Sequence, residues 1–435
     1  MIKSRLLIKS RLLIKKRIIE LRRQIKNIEI GEIRRLPGKG IKSVKILQGI
    51  VPPLLGWYDR NARDLPWRND PSPYNVWVSE IMLQQTRVEA GKDYFLRWMR
   101  ELPDIEALAN VPDEKLMKLW EGLGYYNRAR NLKKAAGIVM EKYGGALPGS
   151  YEELLSLPGI GPYTAGAIGS IAFGLPVAAV DGNVLRVVAR LTAYKGDISS
   201  SATKKRYEQI LTETIPKCRP GDFNQALMEL GALICIPGGV PKCAACPVSG
   251  LCQAHSLGIE TVLPVKAQKK ERRIEKRTIL IFRNQERVLL HKRGEKGLLA
   301  GLWELPAFDG ELASEEVRRI LQNKGFVVKN IETLPAAKHI FSHIEWHMKG
   351  FAVDLEFTPD NGIAAFYHSV QEAWEDSSVK EEDNAYKRRG NSENDRVYRN
   401  DKAEQEHRWV WANAEELTSK YALPSAFRYY VKFLP

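Results

Sequence analysis

Two carboxylates and a group of thiols are the residues of this chain best suited to chemistry. Glu80 lies in Trp77-Val78-Ser79-Glu80-Ile81-Met82, where apolar neighbours disfavour a charged carboxylate and raise its pKa. Asp181 lies in Val180-Asp181-Gly182-Asn183-Val184, at the start of a helical pattern, where the ionised form is favoured. A carboxylic acid and a carboxylate in such different surroundings suit glycosidic bond cleavage. One protonates the leaving group and the other stabilises the sugar cation that forms. The plainer alternatives are a surface glutamate on an amphipathic helix and an aspartate that merely caps a helix. Four of the five cysteines fall in Cys235-x7-Cys243-x2-Cys246-x5-Cys252. Such clustering predicts a metal or cluster site in a reducing compartment rather than a disulfide framework. Cys218 stands apart and is expected to be a small buried hydrophobe.

These groups must be positioned by helices. The segment Leu157-Pro158-Gly159-Ile160-Gly161-Pro162-Tyr163-Thr164 lies between two helical patterns. Gly159 and Gly161 permit a tight turn and let a phosphate approach bare amides, and the next helix N-terminus favours that anion. An ordinary helix–helix turn is the alternative, but Asp181 follows Tyr163 by eighteen residues, and the pairing of the two segments argues against it. Ser150 with Glu153 forms a capping box, and Pro162 fits a first helical residue. Residues 48–258 are therefore expected to form an all-α domain with the cysteine loop at its end. A basic linker, 259–275, follows. Residues 276–435 are expected to be a smaller α+β domain, with strands at Thr278–Phe282, Arg287–Leu290 and Phe351–Phe357, a turn at Asn284 and a helix at Val317–Gln322.

Formal net charge is +15, which suggests a polyanionic partner. Residues 1–50 carry 15 Lys+Arg and 3 Glu, so the rest nets only +3 and the case for nucleic acid rests on motifs. The tandem Ile2–Leu7 and Ile8–Leu13 repeat sets residues 1–47 apart as a basic extension, disordered or non-native. A phosphate- or membrane-surface amphipathic helix and a transit peptide are its alternatives. Residues 371–407 hold 11 acidic and 7 basic side chains and are expected to be a disordered insertion. No apolar run reaches the ~20 residues of a membrane helix, so no membrane partner is expected.

The hairpin and the Val180–Val184 aspartate together resemble the helix-hairpin-helix DNA glycosylase superfamily. Asp64-Leu65-Pro66-Trp67-Arg68, the run from Trp77 through Glu80 to Thr86, and Gly122-Leu123-Gly124-Tyr125-Tyr126 resemble its MutY branch. The resemblance covers residues 51–357 and 408–435. It implies excision of adenine mispaired with 8-oxoguanine or guanine in double-stranded DNA by a monomer; with no convincing signal peptide, a bacterial cytoplasmic, nucleoid-associated location is expected. Glu80 would protonate the adenine and later position water. Asp181 would stabilise the sugar cation, or form a transient covalent adduct with it. Asn183, beside it, is included in the DNA-facing set. Tyr163 occupies the position where bifunctional relatives carry a lysine, and no lysine lies between Leu157 and Tyr194, so a monofunctional enzyme is expected. The adenosine must leave the helix stack. By resemblance Gln85, Thr86 and Tyr125 fill the gap, and Arg63, Leu65, Trp67, Arg68 and Gln225 form the adenine pocket. Trp67 as plain core packing remains the alternative.

The family binds a [4Fe-4S] cluster at Cys235, Cys243, Cys246 and Cys252. Here the first gap is one residue longer than usual, which a bulge at Gly238-Gly239 would absorb. A structural zinc is the alternative occupant. Lys242 is expected to meet DNA phosphates. The segments Gly297–Pro306 and Lys338–His343 resemble the branch's Nudix-like C-terminal domain, in which the loop Phe341-Ser342-His343 reads 8-oxoguanine. The run from Gly310 to Leu321 has Glu315 and Glu316 but lacks a metal-binding Nudix helix pattern, so binding rather than phosphohydrolysis is expected. Two rivals carry different expectations. A thymine or oxidised-pyrimidine glycosylase conflicts with the second domain and the missing lysine. A non-catalytic damage-binding module conflicts with the presence of both carboxylates.

Overall fold

The computed structural model describes residues 38–267, 271–323, 326–356 and 409–434. The tandem repeat and the 371–407 insertion lie outside the described residues. The chain divides into two compact units, Met1–Asn110 with Arg130–Lys269, and Val111–Ala129 with Lys270–Pro435. The break at Lys269 falls within the 259–275 stretch. That Val111–Ala129 clusters with the second unit is not visible in its helical pattern. No helix among the described residues is long and apolar enough to cross a membrane.

The first unit is helical. It contains α1 (Gly38–Gly49), α2 (Val51–Asn61), α3 (Pro66–Asn69), α4 (Pro73–Leu83), α5 (Val88–Glu101) and α6 (Ile105–Asn110). After the excursion of α7 (Asp113–Trp120) into the second unit come α8 (Asn127–Tyr143), which begins in that unit, α9 (Tyr151–Ser156), α10 (Pro162–Ala172) and α11 (Gly182–Leu191). Then follow α12 (Ser201–Thr214), α13 (Pro220–Leu233) and, past the cysteine loop, α14 (Gln253–Ser256). The expected domain start at residue 48 needs correction. Helix α1 runs across it and buries Leu47 completely in the core, with Val44 and Ile46 packed nearby.

The start signals act as their chemistry predicts. Ser72 caps α4 by accepting from the Asn75 amide, and Ser150 caps α9 by accepting from the Glu153 amide. The expected capping box is only half made, because the Glu153 carboxylate accepts from the Ser150 hydroxyl at 2.6 Å rather than from the Ser150 backbone amide. Pro162 opens α10. Helix α4 buries a continuous run, Val76 to Met82, because α5 and α10 pack against it.

The second unit is built on a sheet of β1 (Arg273–Asn284), β2 (Arg287–Lys292), β3 (Trp303–Glu304), β4 (Ala307–Asp309), β5 (Val328–Ile340), β6 (Ile344–Leu355) and β7 (Trp409–Ala412). The main order is β3-β2-β1-β6-β5, with β4 on β1 and β7 on β2; β1 and β6 run parallel. Strand β1 starts at Arg273, inside the stretch assigned to the linker. Ile279 and Ile281 enter one core and Leu280 and Phe282 the other, so the strand is apolar without alternation. Helix α15 (Ser314–Asn323) buries Val317 and Leu321, while Glu315 and Glu316 are exposed on its first turn. Glu316 accepts from the Ala313 amide at 2.7 Å, a capping role. Two short helices, α16 (Ala414–Ser419) and α17 (Arg428–Val431), close the unit.

Two contacts bring the segment before Asp181 into place. A Cβ on Gly166 of α10 would sit 2.1 Å from the Ala178 carbonyl oxygen, so only glycine allows this approach. Buried Asn224 of α13 accepts from the Ala179 amide and donates to the Val177 carbonyl at 2.9 Å and the Ser170 hydroxyl at 2.8 Å. Gly166→Ala is therefore expected to destabilise the protein by about 2–3 kcal/mol. Urea unfolding measures this; an unchanged midpoint would show that the 178–180 segment simply yields.

Candidate active site

Eleven of the side chains singled out in the helical unit, with Gly182, line one cavity of about 990 Å³, large enough for a nucleoside. Its walls include Glu80 from α4, Tyr163 from α10, and Asp181, Gly182 and Asn183 from the start of α11. Arg63, Leu65, Trp67, Arg68, Gln85, Thr86 and Gln225 line it as well.

Glu80 is almost fully buried, and burial pushes its carboxyl up from 4.5 to about 7. A hydrogen bond from the Tyr163 hydroxyl opposes that rise, and the charge of nearby Asp181 adds to it. Tyr163 is itself held well above the ordinary tyrosine value by burial and by both carboxylates, so it stays a neutral donor.

For Asp181 the sequence expectation is that its position at a helix start favours the ionised form. Burial raises its pKa too. The opposing interactions all favour the anion: the Val184 amide donates to Oδ1 at 2.7 Å, the Asn183 amide group donates to Oδ2 at 2.7 Å, and Arg186 adds positive charge. The aspartate thus caps α11 and faces the cavity, so the two roles coexist. Asn183 in turn accepts from Arg186 at 2.8 Å, and Arg186 donates to the Cys235 carbonyl at 2.8 Å and the Gly231 carbonyl at 2.8 Å. A chain of hydrogen bonds therefore joins the aspartate to the first cysteine of the loop.

Trp67 also unites its two readings. It is buried against Phe95, with ring centroids 5.3 Å apart, and it forms part of the cavity wall. Gln85 holds a left-handed φ of 62° in the turn after α4.

Sequence inspection missed Glu229. This carboxylate is only 1% exposed and pairs with Arg63 at 2.7 Å and Arg68 at 3.0 Å. Arg68 also donates to Gln225 at 3.0 Å, and Gln225 and Glu229 share one face of α13. A charged residue inside the apolar run Ala226–Leu230 was the available signal. Arg186 was missed as well.

Hairpin Gly159 has φ 80°, and a Cβ there would meet Asn131 Cβ at 2.7 Å, so glycine is required twice over. Gly161 has open space around it. Neither lines the cavity.

The cysteine loop follows α13. Cys235, Cys243, Cys246 and Cys252 are unpaired thiols around a single small cavity. The extra residue in the first gap is taken up as expected, with Gly238 at φ 74° and the Lys242 amide donating back to the Ile234 carbonyl at 3.0 Å. Burial pushes the Cys246 thiol up to about 11 and raises those of Cys243 and Cys252. Arg190 donates to Cys235 Sγ at 3.2 Å. Several thiolates confined this closely need a cation among them, so the donor set fits an iron–sulfur cluster. Lys242 is exposed beside them. Cys218 departs from expectation: it is exposed, in the turn before α13.

The remaining candidates belong to the second unit. Phe341, Ser342 and His343 form the turn joining β5 to β6, closed by the Phe341 amide on the Ile344 carbonyl at 2.8 Å. Phe341 packs on Trp346 at 4.8 Å, while Ser342 and His343 are exposed. Tyr125, at φ 48° and 49% exposed, has its hydroxyl 2.9 Å from Ser342 Oγ.

The Glu229 cluster gives a stability prediction. Burial opposes its charge, but the two guanidinium groups win and hold it at about 2 rather than 4.5. A depressed carboxylate stabilises the fold fully above the unfolded value and loses that contribution as pH falls toward 2. Glu229→Gln should cost about 3 kcal/mol at pH 7, with the difference from wild type shrinking by about pH 3. Urea unfolding at both pH values decides it; a difference independent of pH would refute the linkage.

Family models place this geometry among known proteins. Residues 78–217 match the HhH-GPD superfamily base excision DNA repair protein, and residues 277–432 match a NUDIX domain. Adenine DNA glycosylase of Mus musculus is 36% identical over 367 residues, covering 70% of this chain and 70% of its own. That of Buchnera aphidicola subsp. Baizongia pistaciae is 33% identical over 329 residues, covering 74% of this chain and 89% of its own. A solved thermostable thymine-DNA glycosylase is 31% identical, covers 49% of this chain and 98% of its own, and superposes with a TM-score of 0.45. With an all-α helix-hairpin-helix unit followed by a Nudix-like unit, this chain belongs to the MutY family of adenine DNA glycosylases.

Proposed function

We propose that this glycosylase hydrolyses the N-glycosidic bond of adenine opposite 8-oxoguanine or guanine in duplex DNA, without strand cleavage. The observation that carries the reading is the buried Glu80 carboxyl, raised to about 7, in one cavity with Asp181. Near neutral pH a large share of Glu80 is protonated and can deliver its proton to the leaving adenine. Asp181, as the anion, faces the sugar as positive charge develops. After departure, Glu80 as carboxylate can orient a water toward the sugar. Tyr163 holds Glu80 in place and carries no lysine-like nucleophile.

Arg63, Arg68 and Gln225, tied together by Glu229, supply the polar recognition of the extruded base, with Leu65 and Trp67 as apolar walls. Gln85, Thr86 and Tyr125 are assigned to the gap that extrusion leaves in the duplex. Gly159 and Gly161 are assigned to a DNA phosphate at the start of α10. Ser342, exposed and next to the anchored Phe341, supports a role for Phe341, Ser342 and His343 in reading the opposite base. Cys235, Cys243, Cys246 and Cys252 are assigned a [4Fe-4S] cluster. When bound, it neutralises the thiolates and orders the loop that presents Lys242 to a phosphate.

Duplex containing adenine opposite 8-oxoguanine tests this. Alkali-revealed cleavage at the adenine is expected with wild type and should vanish with Asp181→Asn; an intact wild-type reaction product would refute the activity. The single-turnover rate should fall as pH rises through about 7, because Glu80 loses the proton it must donate. Glu80→Gln should abolish that limb along with the activity. No adduct should be trapped by borohydride; a trapped adduct would overturn the monofunctional assignment.

A further inference from the structure

The cysteine loop holds two donors that a four-thiol arrangement does not use. His255 lies on α14 and Glu260 just beyond it. His255 nitrogen, a Glu260 carboxylate oxygen and Cys243 Sγ all lie within 4.8 Å of one another. The imidazole Nδ1 stands 3.7 Å from Glu260 Oε1, beyond hydrogen-bond distance and within ion-pair range only when the imidazole is protonated. Glu260 Oε2 is buried with no hydrogen-bond partner. A buried carboxylate oxygen left unmatched is unfavourable, and a cation would satisfy it. Both side chains line the same cavity as the thiols, about 20 Å³, room for one particle the size of a water.

We infer that this loop is also a mononuclear site for a divalent zinc-class cation, bound by Cys243, His255 and Glu260. A thiolate, an imidazole and a carboxylate together suit borderline Zn²⁺ rather than Mg²⁺ or Ca²⁺, which take oxygen donors. Another of the loop's thiols or a water completes the shell. The iron–sulfur cluster and the single ion exclude each other because both require Cys243. The inference rests on the loop being a metal site and not on which base is excised. The excision assay and the metal measurements therefore fail independently.

The test uses the full chain stripped of iron under reducing conditions with a chelator, then freed of the chelator. Zn²⁺ is titrated against a chromophoric competitor, and Co²⁺ serves as a spectroscopic probe. One equivalent should bind, and the Co²⁺ spectrum should show nitrogen or oxygen donors beside sulfur. His255→Ala and Glu260→Gln should each weaken Zn²⁺ by about 10- to 100-fold. Both variants should still take up iron and sulfide and develop the visible absorbance of the cluster, since all the thiols remain. Zinc affinity unchanged in both variants would overturn the inference, as would an all-sulfur Co²⁺ spectrum. Loss of zinc and cluster uptake together in both variants would overturn it too, by showing that His255 and Glu260 act on the fold of the loop and not on the single ion.

Discussion

A carboxyl group kept out of water governs the helical unit. Glu80 can remain partly protonated at neutral pH only because α4 is enclosed by α5 and α10 along the whole run from Val76 to Met82. The same enclosure would make an unmatched carboxylate intolerable, and the Tyr163 hydroxyl supplies the match. Tyr163 is the second residue of α10, so its position is set by where the hairpin stops and the helix begins. The turn at Gly159 therefore acts on the acid as well as on any phosphate. Its geometry fixes how far Tyr163 reaches, and through Tyr163 which state of Glu80 is favoured.

The second carboxylate is treated by the opposite means. Asp181 is buried too, yet every neighbour that touches it stabilises the anion. The Asn224 clamp and the Gly166 approach fix the strand-like segment that delivers it. On the far side, Gly231 lets α13 come so close to α11 that a Cβ there would meet Asn183 Cβ at 2.7 Å. That closeness is what allows Arg186 to reach Asn183, Gly231 and Cys235 at once. The orientation of the aspartate and the path of the chain into the cysteine loop are consequently one structural problem, solved by one guanidinium.

How much of this was legible in the sequence depended on whether the signal was local. Glu80 among apolar residues, Asp181 before a helix, the hairpin glycines and the cysteine spacing are local patterns; the structure brings Glu80 and Asp181 to one cavity and the four cysteines to another. Glu229 was not legible because its meaning lies in Arg63 and Arg68, more than 150 residues away in sequence. Cys218 was misjudged because a lone cysteine is usually buried, and nothing local showed that its turn lies at the surface. The start of the helical unit was set too late because Leu47 sits in a basic stretch whose charge masked one apolar face. The attachment of Val111–Ala129 to the second unit is a tertiary fact that a helical periodicity cannot carry.

Several exposed residues singled out in the sequence hold their shape through a buried neighbour, and both units do this in the same way. Ser342 is exposed, but its neighbour Phe341 is pinned between His339 and Trp346. Tyr125 is exposed, but its neighbour Tyr126 is buried, and Arg128 holds the turn through the Leu123 and Gly124 carbonyls at 3.0 Å each. Gln85 follows the buried Met82 by a single tight turn. Tyr125 and Gln85 both sit in left-handed backbone, which costs a non-glycine residue on the order of 1–3 kcal/mol. Such strain persists only where the surroundings over-determine it; Tyr125 is next to buried Tyr126, and Gln85 lies three residues past buried Met82. A residue held in this way has lost conformational freedom in the free protein, so any contact it makes costs less entropy.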